Sequence, residues 1–320
     1  MLSNANKAIV LLDGGIGQEI NRRSTRSEPH PLWSVMVMRE EPEVVIGVHR
    51  EFLNAGSRVV TLNNYSATPI RLGREGMEGD IESIHHQASA LLDEAINESG
   101  IPRSQISKMG CLPPLAASYV SAAAPDYETA RRDFEQLIRI QKDYVDGFLV
   151  ETMSNTTEMR AARDALVDAG ELVHMGLTIH DDGTNRLRSD EPLARAIETL
   201  SNGPIESIMI NCSQPEFVPR ALTELQKLGC EFGAYANGFT TVAPLQPGGT
   251  VKDLECRVDL SPEIYTTHVM RWVSTGATIV GGCCEISPSH IKHLNDTLQT
   301  SGLSATNFKK AIEQPDSQAS

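Results

Sequence analysis

Eight short apolar runs, each followed by a longer amphipathic stretch, constrain this 320-residue chain more than any other feature. The runs are Ala8–Leu12, Arg58–Leu62, Ser107–Cys111, Gly147–Val150, Val173–Ile179, Ser207–Asn211, Phe232–Tyr235 and Ala277–Val280. Most are apolar throughout rather than alternating, as expected of strands covered on both faces. Between them lie helical patterns over Pro42–Ala55, Asp80–Asn97, Asp126–Tyr144, Asn155–Ala169, Glu191–Leu200, Pro215–Leu228, Ser261–Thr275 and Pro288–Gln299. Several carry start signals. Asn155 stands three residues before Glu158, and Ser261-Pro262 and Ser287-Pro288 pair a capping residue with proline at the first helical position. Strand and helix in strict alternation predict an α/β fold, a single-domain (β/α)₈ TIM barrel over residues 1–306, with a doubly wound sheet as the competing architecture. The polar stretch 307–320 is expected to be a flexible tail. In a barrel the loops that follow the strands build the site, so chemistry is to be sought just after each strand end.

Composition narrows the function classes. Twenty-eight Lys and Arg against 42 Asp and Glu leave a formal charge of −14, which argues against nucleic acid or an anionic membrane as the partner. No apolar run approaches the roughly 20 residues of a membrane span, and the first residues lack the basic start and apolar core of a secretion signal. Six cysteines in so long a chain do not make a disulfide-stapled scaffold, so a reducing cytoplasm is the expected location. Sequence is compatible with either a monomer or a homodimer.

Three cysteines fall where the barrel would place its site. Cys212 follows the sixth run, and Cys283 and Cys284 follow the eighth after Gly281-Gly282. Adjacent Cys283 and Cys284 are poorly placed to bridge one another, since neighbouring Cα atoms lie about 3.8 Å apart. Three thiolates converging on one point suit Zn²⁺ and leave its fourth position open, as in a catalytic site; buried cysteines packed as small apolar groups are the bland alternative. Cys111, Cys230 and Cys256 read as structural or incidental. After the first run, Asp13-Gly14-Gly15-Ile16-Gly17 fits neither a dinucleotide nor a P-loop fingerprint. Its glycines would let bare N–H groups approach a small ligand, and Asp13 would fix the loop or meet a cation. Glu151, at the end of the fourth run, needs either an ammonium partner or a structural ion pair. Tyr65, after the second run, would touch ligand, occupy the open metal position, or simply pack. His85 and His86 read as surface or packing, and His180 as a minor substrate candidate.

The segments LLDGGIGQEI, AGSRVVTLNNYSAT, FLVETMSNTTEMRAA, INCS and GGCCEISPSHI together resemble the homocysteine S-methyltransferases, a group that includes S-methylmethionine- and betaine-dependent enzymes and the homocysteine barrel of methionine synthase. The resemblance runs from about Ile9 to Leu294. It implies a (β/α)₈ barrel with Zn²⁺ on Cys212, Cys283 and Cys284. It implies substrate contacts from Asp13, Gly14 and Gly15, an ammonium held by Glu151, and Tyr65 approaching the metal. Asn211 and Asn237 are placed beside the substrate. Loops after the third, fifth and seventh runs depart from the family pattern: Gly110-Cys111-Leu112-Pro113-Pro114, Arg188-Ser189-Asp190-Glu191 and Tyr235-Ala236-Asn237-Gly238-Phe239.

The implied reaction moves a methyl group from a sulfonium or quaternary ammonium donor to the zinc-bound thiolate of homocysteine, giving methionine. S-methylmethionine or S-adenosylmethionine is favoured as donor and betaine comes second. Trp33, Tyr65, Tyr235 and Phe239 are the few aromatics placed to face a cation. The alternatives are an enzyme for a different small thiol or selenol, or a silent zinc- or thiol-binding protein.

Overall fold

A computed structural model describes residues 8–27, 30–245, 247–248 and 254–308. Nine strands among them are all parallel: β1 (Ala8–Leu11), β2 (Val59–Thr61), β3 (Ser107–Leu112), β4 (Gly147–Met153), β5 (His174–Leu177), β6 (Ser207–Asn211), β7 (Glu231–Tyr235), β8 (Ile279–Val280) and β9 (Ser304–Thr306). They run in the order β2-β3-β4-β5-β6-β7-β8-β1-β9. A bridge from Leu12 to Val59, with the Arg58 N–H on Leu11 O at 2.8 Å, joins β1 to β2 and closes the barrel. The competing doubly wound sheet has two open edges and is excluded by this seam.

Eleven α-helices among the described residues surround the strands. They are α1 (Ile16–Arg23), α2 (Trp33–Glu40), α3 (Pro42–Ala55), α4 (Pro69–Arg74), α5 (Ile81–Ser99), α6 (Tyr127–Gln141), α7 (Thr156–Asp168), α8 (Leu193–Ser201), α9 (Val218–Leu225), α10 (Pro262–Ser274) and α11 (Pro288–Thr300). All eight expected helices are present within a few residues of their expected ends. Their caps form as the sequence indicates: Asn155 Oδ1 accepts from Glu158 N at 2.8 Å, and Ser287 and His290 make a reciprocal box at the start of α11. The additional α1, α2 and α4 are only six to eight residues long. That is too short for a helical period to stand out from the loops around them.

Two apolar layers result. The larger lies between strands and helices, where residues such as Ile9, Val60, Phe148, Ile208 and Trp272 are fully buried. The smaller fills the barrel interior with Val10, Leu12, Val59, Met109, Leu149, Met209, Tyr235 and Ile279. Phe308 joins this inner layer and stacks on His174 with ring centroids 4.0 Å apart, at the strand-start end. The ninth strand ends at the expected barrel boundary, and this plug lies just beyond it. Asn307 and Phe308 are buried, and Asn307 Nδ2 donates to Ser104 O at 3.1 Å. The rest of the expected tail, 309–320, lies outside the described residues, as do Met1–Lys7. Among the described residues no helix is long and apolar enough to cross a membrane.

Candidate metal and substrate site

At the strand-end face of the barrel lies a cavity of about 190 Å³. Backbone bonds lock together the turns that wall it. Gly282 N donates to Asp13 O (2.8 Å), Cys283 N to Ala236 O (2.9 Å), Gly238 N to Cys284 O (2.9 Å), Gly15 N to Ile286 O (2.8 Å) and Cys212 N to Tyr235 O (3.2 Å). The turns after β1, β6, β7 and β8 therefore hold one another. Glycine is required for this closeness: a Cβ on Gly14 would run into Ile286 O, and one on Gly282 into the Ile286 side chain.

The three cysteines expected to act together do meet. One ligand atom from each of Cys212, Cys283 and Cys284 lies within 4.8 Å of the others. The Cys212 and Cys284 sulfurs are 3.7 Å apart. Cys212 and Cys283 are joined as a disulfide, where the sequence led us to expect free thiols; their Cα atoms are 5.6 Å apart, within the range such a bond spans. Tetrahedral coordination at a Zn–S distance of about 2.3 Å puts sulfurs about 3.8 Å apart. The Cys212–Cys284 spacing already matches that figure, and the soft donor set suits zinc once Cys212 and Cys283 are reduced. Burial, and then the neighbouring Glu285, push the Cys284 thiol up to about 12. Three enclosed thiolates are therefore unfavourable unless a cation shares the site.

Two carboxylates line the same cavity. Asp13 Oδ2 accepts from Thr61 N at 2.8 Å, and Glu151 Oε2 accepts from the Cys111 thiol at 3.0 Å. Desolvation raises both above the usual carboxylate range, and the charge of Glu151 adds to the rise at Asp13. Neither forms an ion pair among the described residues. Burial thus favours the neutral forms while no cation is present, and a cation entering the cavity would favour the carboxylates.

Strain concentrates here too. Tyr119, Thr152, Cys212 and Glu285 all have left-handed backbone, with φ of 66°, 60°, 48° and 66°. For β-branched Thr152 this is a real departure from ordinary geometry. Asn211 holds it: its Oδ1 accepts from Thr152 N and its Nδ2 donates to Thr152 Oγ1, both at 2.9 Å.

Of the expected substrate residues, Asp13, Gly14, Gly15, Tyr65 and Glu151 line the cavity. Asn211 and Asn237 do not; both are fully buried behind it. Asn211 is spent on Thr152, and Asn237 Oδ1 accepts from Phe239 N at 3.2 Å. Tyr65 does not reach the sulfurs, because its hydroxyl pairs with Ser118 Oγ at 2.8 Å. The tyrosine that does is Tyr119, whose hydroxyl donates to Cys212 Sγ at 3.0 Å. His180 pairs with Asp190 outside the cavity, while His85 is buried and bonds Asn64 and Ala67. Of the aromatics expected to face a cation, Trp33 and Tyr65 line the cavity, whereas Tyr235 and Phe239 are buried and are not among its lining residues.

Cys111, read from sequence as incidental, is on the cavity wall. Its position at a strand end was the available signal. Tyr119, Thr152 and Arg71 were also missed. They sit on stretches whose conformation depends on tertiary contacts, and nothing in the local pattern marks them.

Comparison with known proteins identifies the family and the fold. Residues 10–298 match the family model described as homocysteine S-methyltransferase. Homocysteine S-methyltransferase 1 of Brassica oleracea var. italica is 25% identical, over 90% of this chain and 93% of that protein. Homocysteine S-methyltransferase 2 of Saccharomyces cerevisiae is also 25% identical, over 92% and 95%. Among solved structures, the homocysteine methyltransferase MmuM from Escherichia coli in its metallated form superimposes with a TM-score of 0.74 at 20% identity, covering 92% of this chain and 97% of that one. At that identity the likeness speaks for the fold.

Proposed function

The chain belongs to the homocysteine S-methyltransferase family, and from that premise we propose that it is a zinc-dependent enzyme methylating the thiol of L-homocysteine, with S-methylmethionine or S-adenosylmethionine as favoured donor and betaine second. The single observation that carries this reading is the convergence of Cys212, Cys283 and Cys284 beside two carboxylates that lack a cationic partner among the described residues.

The division of labour follows from the chemistry of each group. Zinc, when held by the three cysteine sulfurs, supplies the positive charge that ionises an incoming thiol at neutral pH. A free alkyl thiol has a pKa of about 8.5 and is mostly protonated there. Asp13 and Glu151 take the ammonium of the amino-acid acceptor, which offsets their own unfavourable burial. Cys111 donates a hydrogen bond to Glu151 and stays a thiol, since burial and Glu151 both raise it, so it is not a fourth ligand. Asn211 keeps Thr152 turned into the cavity wall. Tyr119 donates to Cys212 Sγ, which tempers charge on that sulfur. The interlocked turns fix acceptor and donor relative to one another, and that orientation is the entropic share of catalysis. The trio must be reduced to act, which fits a reducing compartment such as the cytoplasm.

Incubating the reduced, zinc-loaded protein with homocysteine and each donor in turn tests the proposal. Methionine is expected from a sulfonium donor, at a rate above that with betaine. No methionine from any of the three, with zinc intact, would contradict it.

A further inference from the structure

Arg71 is the one cationic side chain among the described residues that line the cavity. It comes from α4, where Thr68 caps the helix by accepting from Arg71 N at 3.2 Å. One terminal nitrogen donates to Pro114 O at 2.9 Å and to Ser118 Oγ at 3.4 Å. The guanidinium lies over the Tyr65 ring, 5.3 Å from its centroid. Its Nε is buried with no hydrogen-bond partner. Among the described residues no carboxylate pairs with it. Glu158, the nearest acid in electrostatic contact, is already used by Leu115 N (2.7 Å) and Asn155 Nδ2 (3.2 Å).

A guanidinium is charged at every accessible pH and has five donors. Enclosing it with donors unfilled and no counter-ion is costly, unless a ligand supplies the anion. A carboxylate matches its fork. The opposite half of an amino acid is already provided for, because Asp13 and Glu151 offer the complement of an ammonium in the same cavity. Arg71 also borders an adjoining smaller cavity whose lining includes no cysteine, Asp13 or Glu151. We infer that Arg71 is the carboxylate clamp of this site, selecting substrates that are α-amino acids over the corresponding amines. The inference rests on the reading of the cavity as an amino-acid site. It does not require that methyl transfer occur.

Equilibrium binding to the reduced, zinc-loaded full chain tests it, with two matched pairs of ligands. Homocysteine against 3-aminopropane-1-thiol reports on the acceptor. S-methylmethionine against its decarboxylated dimethylsulfonium amine reports on the donor. The unmodified protein is expected to bind the carboxylate member about 100-fold more tightly in at least one pair, as suits a charge-assisted forked contact. The pair that discriminates names the substrate held. Arg71→Met should bring that ratio to within about threefold, and Arg71→Lys, which keeps the charge but not the fork, should restore part of it. A thermal melt and a zinc count on each variant separate loss of the clamp from loss of the fold. Equal affinities within both pairs in the unmodified protein would overturn the inference, as would full discrimination retained by a folded Arg71→Met. Discrimination without any methionine formation would keep the clamp and remove only the proposed reaction.

Discussion

Cys283→Ser or Cys284→Ser is expected to release the metal and to lower kcat/KM for homocysteine by at least about 10³-fold. Losing ionisation alone costs about 30-fold, since a thiol of pKa about 8.5 is only a few per cent thiolate at pH 7. Losing the fixed position of the acceptor sulfur multiplies that by roughly a further two orders of magnitude. Serine is nearly isosteric, and the backbone bonds that hold these turns do not involve the sulfurs. The fold should therefore survive, which a circular dichroism melt checks. Full activity and stoichiometric zinc in both variants would contradict the ligand set.

Glu151→Gln should do opposite things to stability and binding. Desolvation raises the Glu151 carboxyl, so the folded state prefers the protonated form. The sign follows: the stability this group contributes is complete below the ordinary carboxylate range and is lost as pH rises through its raised folded value. At pH 7 the buried carboxyl is therefore a burden on the ligand-free protein. Glutamine removes it while keeping an oxygen to accept from Cys111. The ligand-free melting temperature at pH 7 is expected to rise by about 2–4 °C, with little change at pH 4. Homocysteine affinity should fall by about 100-fold, because the ammonium loses a charged partner. Calorimetric melts at the two pH values, with a homocysteine titration, read both effects. A lower melting temperature at pH 7 with unchanged affinity would refute the role.

How much of this could be read from sequence depended on whether a feature is local. The strands of the barrel were legible because a strand covered on both faces is mainly apolar, as in the Ile-Met-Ile centre of Ser207–Asn211, which ends where it was expected to. The cysteine trio was legible because strand ends share a face of a barrel, so Cys212 and Cys284 meet although 72 residues apart. β9 was hidden because Ser304–Thr306 has no apolar run of its own and exists by pairing with β1. Asn211 lies on the expected strand, and its side chain is engaged with Thr152. Whether its side chain faces the cavity or the strained Thr152 depends on a bulge between Val150 and Met153 that no spacing announces. The tyrosine that bonds a sulfur was hidden for the same reason. Tyr65 was singled out from sequence and Tyr119 was not; the Tyr65 hydroxyl is held by Ser118, while that of Tyr119 donates to Cys212.

Three sulfurs holding one zinc, with a position left for substrate, are the centre of the proposed chemistry. X-ray absorption at the zinc edge of the reduced, reconstituted protein measures this directly. Three sulfur neighbours at about 2.3 Å are expected, with a fourth appearing when homocysteine is added. Fewer than three sulfur neighbours, or a shell that homocysteine leaves unchanged, would contradict it.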